Sequence, residues 1–357
     1  MIESHSNLVV GTSINDLKLE MEKLGETSYR AQQLWRWLYV KGVKKFDDMT
    51  DLSAVFRSKL NEKFILCRPE IASSKISLDG TRKWLLKLYD NNLIEMVFIP
   101  EKERGTLCVS SQVGCSLSCS FCNTGTMPIV RNLKVDEIIG QVLVANDELD
   151  NWPFKSTRRK ITNIVFMGMG EPLYNYKNLI KSLKIIQDNE GLAFSNRKIT
   201  LSTSGIVPMI EKLKSDINVN LAISLHATND KLRDTLVPIN KKWSIKALLE
   251  SLKNYPGMNN ARRITFEYIM LKNINDSEQD AKALVKLLKD IPSKINLIPF
   301  NFWKGSIYQS SEKHVINNFL NVISNFGGIT ATIRYPRGSD ILAACGQLKS
   351  ESTKKNK

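Results

Sequence analysis

From about residue 100 onward the chain alternates strand with helix, and this rhythm narrows the available folds more than any other property. Short runs rich in β-branched and aromatic residues occur at Thr106 to Ser111, Ile161 to Met167, Lys198 to Thr203, Val219 to Leu225, Ile264 to Met270, Ile295 to Phe300 and Ile329 to Arg334. Between them lie stretches of helical periodicity, among them Val135 to Glu148, Asn178 to Asp188, Ile245 to Leu252 and Ser277 to Leu288. A strand laid parallel to its predecessor needs a crossover long enough to bring the chain back to the starting edge, and a helix supplies it. The expected class is therefore α/β with a parallel sheet.

The segment before residue 100 reads differently. From about Ile14 to Phe64 the pattern is helical, with Leu34, Trp35, Leu38 and Tyr39 on one stripe. Three strand-like runs follow, Ala72 to Leu78, Thr81 to Tyr89 and Leu93 to Ile99, separated by the hairpin signals Asp79-Gly80 and Asn91-Asn92. The expected layout is a helical accessory domain over residues 1–70, a short β-hairpin extension over 71–100, a partial (β/α)6 TIM-like barrel over 101–348, and a disordered basic tail over 349–357. In such barrels chemistry gathers at the C-terminal ends of the strands.

Charge bears on the partner. Lys and Arg number 51 against 36 Asp and Glu, for a net charge of +15, and a polyanion is the natural counterpart. Basic residues gather at Lys155 with Arg158, Arg159 and Lys160, at Lys241 and Lys242, at Arg262 and Arg263, and in the tail at Lys354, Lys355 and Lys357. The helical module adds Arg30, Arg36, Lys41, Lys44 and Lys45. A solvated Lys-rich face would carry the same composition, so charge alone leaves nucleic acid as one of two readings. The start, Met1-Ile-Glu-Ser-His, lacks the features of a signal peptide, and no apolar run approaches the roughly 18 to 20 residues that span a bilayer. A reduced, cytoplasmic, monomeric protein away from membranes is expected, with its six cysteines free of disulfide scaffolding.

Three of those cysteines, Cys115, Cys119 and Cys122, fall within eight residues and have no fourth ligand close by, since the next His is His226. A structural zinc site is closed by four ligands. Three thiolates suit a 4Fe-4S cluster ligated at three irons, with the fourth open to a small molecule. The C-x-x-x-C-x-x-C spacing, with Phe121 before the last Cys, resembles that of the radical S-adenosylmethionine (SAM) enzymes. The resemblance implies SAM as co-substrate and an external one-electron reductant of the flavodoxin type.

A second motif, Ile164-Val-Phe-Met-Gly-Met-Gly-Glu-Pro-Leu, ends the second barrel strand. Gly168 and Gly170 let backbone pass close to a ligand, and Glu171 presents a carboxylate able to accept from an ammonium group. The third glycine of a dinucleotide fingerprint is missing. Ser202-Thr-Ser-Gly-Ile-Val-Pro, Ser224-Leu-His-Ala and Asn296-Leu-Ile-Pro-Phe-Asn follow at successive strand ends. With Gly170-Glu171 they resemble the SAM-binding segments of the RlmN family of adenine-C2 RNA methyltransferases. The resemblance implies SAM contacts from Gly170, Glu171, Ser202, Ser224, Leu225, His226 and Asn301. Its implied substrates are 23S rRNA, at the peptidyl transferase centre, and tRNA, at the adenine 3′ of the anticodon.

Two further cysteines match the family: Cys345, in Gly338-Ser-Asp-Ile-Leu-Ala-Ala-Cys-Gly, and Cys108, in Thr106-Leu-Cys-Val. The resemblance implies that Cys345 takes a methyl from one SAM, that a radical from a second SAM activates this methyl for addition to adenine, and that Cys108 releases the product by a disulfide with Cys345. Glu95 matches the family's proposed proton acceptor, a role Cys108 could also fill. Cys67 lies in no matched motif. Many members carry Pro-x-Pro-Gly after the Asn, where this chain has Phe302-Trp-Lys-Gly. A rival is the antibiotic-resistance relative that methylates carbon 8 of the same rRNA adenine, and Pro172 with Ser204 favours the C2 enzyme. A non-catalytic iron–sulfur sensor that binds nucleic acid is the alternative of a different class.

Overall fold

The computed structural model describes residues 7–153, 159–253, 255–259 and 262–350. Three helices come first: α1 (Ile14–Lys23), α2 (Tyr29–Arg36) and α3 (Ala54–Lys63). Serines open two of them, Ser13 Oγ accepting from the Asp16 amide and Ser53 Oγ from the Phe56 amide, which satisfies donors the first turn leaves unpaired. Their apolar faces bury Leu17, Met21, Leu34, Trp35, Phe56 and Leu60. Trp35 fixes the module to the rest of the chain, its indole Nε1 donating to Asp188 Oδ1 at 3.0 Å.

Twelve strands follow among the described residues. The first four are β1 (Glu70–Ile76), β2 (Arg82–Lys87), β3 (Leu93–Pro100) and β4 (Gly105–Cys108). A two-strand pair, β5 (Gln112–Val113) and β6 (Arg131–Asn132), stands apart from the main sheet. Next come α4 (Val135–Glu148), β7 (Asn163–Phe166), α5 (Tyr176–Gln187), β8 (Ile199–Thr203), α6 (Val207–Asp216) and β9 (Asn220–Ser224). The remainder comprises α7 (Asp230–Leu236), α8 (Ile245–Lys253), β10 (Ile264–Met270), α9 (Glu278–Leu288), β11 (Ser293–Pro299), α10 (Lys313–Gly327) and β12 (Thr330–Ile333).

One sheet carries ten of these strands, in the order β1-β2-β3-β4-β7-β8-β9-β10-β11-β12. From β4 onward every pairing is parallel, and each of the six crossovers contains at least one helix. This is the expected α/β barrel, six β/α units completed by a seventh parallel strand. Strand β10 is buried along its whole length because it has helices on one side and the barrel interior on the other.

The stretch read as a hairpin extension is more closely joined to the barrel than that phrase implies. Strands β1 to β3 form an antiparallel meander, and β3 pairs antiparallel with β4, placing Val97 opposite Cys108. The connection from Pro100 to Gly105 is short enough to act as a hairpin, closed by the Glu101 amide on the Arg104 carbonyl (2.6 Å). Lys155, Arg158, Lys354, Lys355 and Lys357 lie outside the described residues, as does the tail from residue 351. Among the described residues no helix is long and apolar enough to cross a membrane.

Candidate active site

The cysteine triplet lies on an excursion of the chain whose two ends are zipped together by β5 and β6. Two glycines let this loop fold tightly. At Gly114, with φ +78°, a Cβ would stand 2.1 Å from the Pro128 carbonyl oxygen, and at Gly125 one would stand 2.6 Å from that of Cys119. Cys115, Cys119 and Cys122 are each half-buried in the cleft at the C-terminal ends of the strands. Burial pushes all three thiols up, Cys115 to about 12, and for Cys115 and Cys119 the neighbouring cysteines push further.

Among the described residues no three His, Cys, Asp or Glu side chains converge on a single ion. A cube of four irons is broader than an ion and takes soft thiolates without carboxylates, so three neighbouring thiols that do not meet at one point fit it. Arg233, fully buried, sets the strand ends beside this loop. Its guanidinium donates to the carbonyls of Ser204 (2.8 Å), Ser224 (3.0 Å) and Leu225 (3.1 Å), and burial lowers its pKa to about 10.

Glu171 stands after β7, buried, with Oε1 accepting from the Leu173 amide (3.1 Å) and Oε2 from the Ser204 amide (2.8 Å). Burial raises this carboxyl to about 7. Gly170 has φ +94°, and a Cβ there would lie 2.5 Å from the Gln112 Cβ. The Gln112 side chain is held in turn, accepting at Oε1 from the Glu171 amide at 2.9 Å. Pro172 and Ser204, read from the resemblance as favouring the C2 enzyme, both touch Glu171, one as its neighbour and one through its amide.

Ser202 and Ser224 sit half-buried near the ends of β8 and β9. Leu225 and His226 turn away from β9 with both amides on the Glu267 carbonyl (3.1 and 3.3 Å). His226 is buried with φ +62°, and its Nδ1 accepts from the Ile269 amide at 3.1 Å. Desolvation depresses its pKa to about 3, so the ring is neutral and carries its proton on Nε2. Phe121 meets this ring edge-on, centroids 4.7 Å apart.

Cys345 follows β12. It is exposed to solvent, yet protein crowds it from several sides and its thiol is pushed far up by desolvation, with Cys122, Glu267 and Cys108 adding to the effect. Four successive carbonyls are held here. Asn301 Nδ2 donates to the oxygen of Cys345 (2.9 Å), the Asn123 amide to that of Gly346 (2.8 Å), Asn123 Nδ2 to that of Gln347 (3.1 Å), and Thr124 Oγ1 to that of Leu348 (2.6 Å). Asn123 directly follows Cys122, so the Cys345 segment is sewn to the cluster loop. Cys108, half-buried at the end of β4 with its thiol raised to about 12 by burial, lies within electrostatic reach of Cys345.

Glu95 is buried on β3, where a lone carboxylate in a strand ordinarily faces solvent. Its Oε1 pairs with Lys83 Nζ (3.0 Å) and its Oε2 accepts from the Lys349 amide (2.9 Å). Sequence reading missed Lys83, Asn123 and Thr124, which act on partners far along the chain, and Arg233, which ties together the ends of neighbouring strands. It also missed Trp303, which stands in the departure from the family's proline loop and donates Nε1 to the Phe121 carbonyl (3.0 Å). Beside the cluster loop opens a cavity of about 510 Å³, with Gln112, Ser116, Ile129, Tyr174 and Lys242 among its walls.

Known proteins resemble this chain over most of its length. Residues 109–285 match a family model described as the radical SAM superfamily, and residues 7–66 one described as the ribosomal RNA large subunit methyltransferase N-terminal domain. A dual-specificity RNA methyltransferase RlmN of Zymomonas mobilis subsp. mobilis is 52% identical, covering 98% of this chain and 90% of its own. The chain belongs to the RlmN family. Another RlmN, from Caulobacter vibrioides, is 56% identical over 92% of this chain and 82% of its own. The crystal structure of a radical SAM methyltransferase from Sphaerobacter thermophilus superposes with a TM-score of 0.90 at 38% identity, covering 96% of this chain and 99% of that one. The RlmN-family fold therefore extends over the helical module as well as the barrel.

Proposed function

We propose that this RlmN-family chain methylates carbon 2 of adenine in 23S rRNA and in tRNA, with Cys345 carrying the methyl group and two SAM consumed per turnover. Carbon 2 lies between two ring nitrogens and is too electron-poor to attack the SAM methyl itself. The Cys345 thiolate takes that methyl by displacement, a carbon–sulfur bond forming as the sulfonium bond breaks. Cys115, Cys119 and Cys122 would hold a 4Fe-4S cluster, which would supply the electron for reductive cleavage of a second SAM to methionine and a 5′-deoxyadenosyl radical. Glu171 accepts from the SAM amino group, beside the glycine path at Gly170. Ser202, Ser224, Leu225 and His226 line the strand ends against SAM, and Asn301 completes the set.

Transfer of a hydrogen atom from the S-methyl group to the 5′-deoxyadenosyl radical, giving 5′-deoxyadenosine, leaves a carbon radical that adds to the adenine. The C2 proton then passes to Glu95 or Cys108. The Cys108 thiolate attacks the Cys345 sulfur, so that the S–S bond forms as the C–S bond breaks. The odd electron leaves to the external redox partner, and the freed methylene carbon takes up a proton to become the methyl group. RNA enters past Lys242 and Tyr174. Arg131, on the same wall, is committed to Asp90 and Glu137 and has less charge to offer. The enzyme acts as a monomer in the cytoplasm with a flavodoxin-like reductant.

The observation that carries this reading is the set of four held carbonyls from Cys345 to Leu348, which keeps the cysteine against the cluster loop. Mass-spectrometric mapping of the methyl on 23S rRNA and tRNA tests it. Methyl at carbon 2, lost in Cys345→Ala, is expected. Methyl at carbon 8 would replace the reading with the resistance-type enzyme, and absence of 5′-deoxyadenosine with SAM and reductant would leave a sensor.

A further inference from the structure

The segment carrying Cys345 begins in strained backbone. Leu342 has φ +54°, a left-handed conformation that a bulky residue holds only where its surroundings impose it. Lys83 Nζ donates to the Leu342 carbonyl at 3.1 Å. The same ammonium pairs with Glu95 Oε1 at 3.0 Å, and the other Glu95 oxygen accepts from the Lys349 amide at 2.9 Å. One buried ion pair thus grips the chain on both sides of Cys345, three residues before it and four after.

Strands β2 and β3 make this possible. Leu85 lies opposite Glu95 and Lys83 opposite Val97, so Lys83 and Glu95 are diagonal neighbours on one face of the pair. Both are buried, and ammonium and carboxylate each spend a hydrogen bond on the main chain of the Cys345 segment. Further out, Ser77 Oγ donates to Asp340 Oδ1 (2.6 Å) and Asp79 Oδ2 accepts from the Gly338 amide (3.0 Å), so the approach to Leu342 is also tied to the β1–β2 turn. Nearer the cysteine the bonds are made by neutral groups, the side chains of Asn301, Asn123, Thr124 and Gln347 and backbone amides.

We infer that Lys83 and Glu95 form a buried clamp that sets the reach of the Cys345 thiol, fixing residues 342 and 349 while the turn between them presents sulfur to SAM, adenine and Cys108. Lys83 is a positioning residue in this account. Glu95 holds the segment whether or not it also accepts a proton. The inference rests on Cys345 being the methyl carrier.

The test is hydrogen–deuterium exchange of the cluster-loaded full-length protein, read by mass spectrometry over residues 340–350, together with the rate at which Cys345 gains a methyl from SAM without reductant. Lys83→Met and Glu95→Gln are each expected to raise exchange at the 342–349 amides about tenfold, the factor that corresponds to about 1.4 kcal/mol. Both should slow Cys345 methylation, while Lys83→Arg keeps wild-type values. Should Lys83→Met fail to fold, the charge-neutral double variant Lys83→Met/Glu95→Gln takes its place. Wild-type exchange in Lys83→Met or in the double variant overturns the clamp. So does a Glu95→Gln that blocks RNA methylation while leaving exchange and Cys345 methylation untouched, the pattern of a pure proton acceptor. A wild-type protein that never methylates Cys345 overturns the proposed function instead, and the exchange data still decide whether the clamp exists.

Discussion

The Asn301 side chain donates Nδ2 to the backbone oxygen of Cys345 at 2.9 Å. A residue read from sequence as a SAM contact therefore also holds the chain that bears the proposed methyl carrier. The proposed SAM contact and this bond would draw on one amide, tying the placement of the thiol to the proposed SAM side of the cleft.

Asn301→Asp keeps the side chain's size and removes the donor. It should slow methylation of Cys345 several-fold, as much as Asn301→Ala does, since a net hydrogen bond of this kind is worth about 1 kcal/mol. Intact-peptide mass after timed exposure to SAM measures it. A wild-type rate in Asn301→Asp would show that the contact with Cys345 does not matter.

Trp303→Phe preserves the apolar body of the residue and deletes the indole N–H that the Phe121 carbonyl accepts. The cluster loop should loosen by about 1 kcal/mol. Loss of the visible absorbance of the loaded protein in air is then expected to run several-fold faster than in wild type, with thermal stability elsewhere little changed.

Arg233→Met removes the donors to three strand-end carbonyls in a fully buried setting. Each abandoned acceptor costs about 1–3 kcal/mol, so the variant should lose more than about 3 kcal/mol in denaturant unfolding. SAM binding should fall with it, because Ser204 and Ser224 shift.

His226 gives the stability a pH dependence of defined sign. Its pKa is about 3 in the fold against an ordinary 6.5, so the unfolded chain takes up a proton that the folded ring refuses. This contribution is complete above 6.5 and is lost as pH falls, with a slope approaching about 1.4 kcal/mol per pH unit between about pH 6 and pH 4. The slope of unfolding free energy against pH for His226→Asn should be shallower by that amount. Equal slopes for the two proteins would contradict the buried, neutral ring.

Local periodicity carried much of the fold. Val135–Glu148 is a helix over the range its apolar spacing indicates, and all seven barrel strands overlap the runs read as strands. The joining of β3 to β4 was not legible, because a strand's pattern says which face is buried but not which neighbour it pairs with. Within the site, the cysteine triplet was visible because its members are close in sequence. Lys83, which works on Leu342, and Asn123, which works on Gly346 and Gln347, belong to no motif of their own and become meaningful only when chain ends 200 or more residues apart are brought together.

The clamp between Lys83 and the Cys345 segment also dictates an order of events during synthesis. Every strand of the sheet, β12 included, leaves the ribosome before Cys345 does. A nascent chain can thus expose most of its barrel strands, and the cysteine loop, before the segment carrying Cys345 clears the ribosome. Until that final segment docks, Lys83 and Glu95 are without the main-chain partners at Leu342 and Lys349 that they hold in the finished fold.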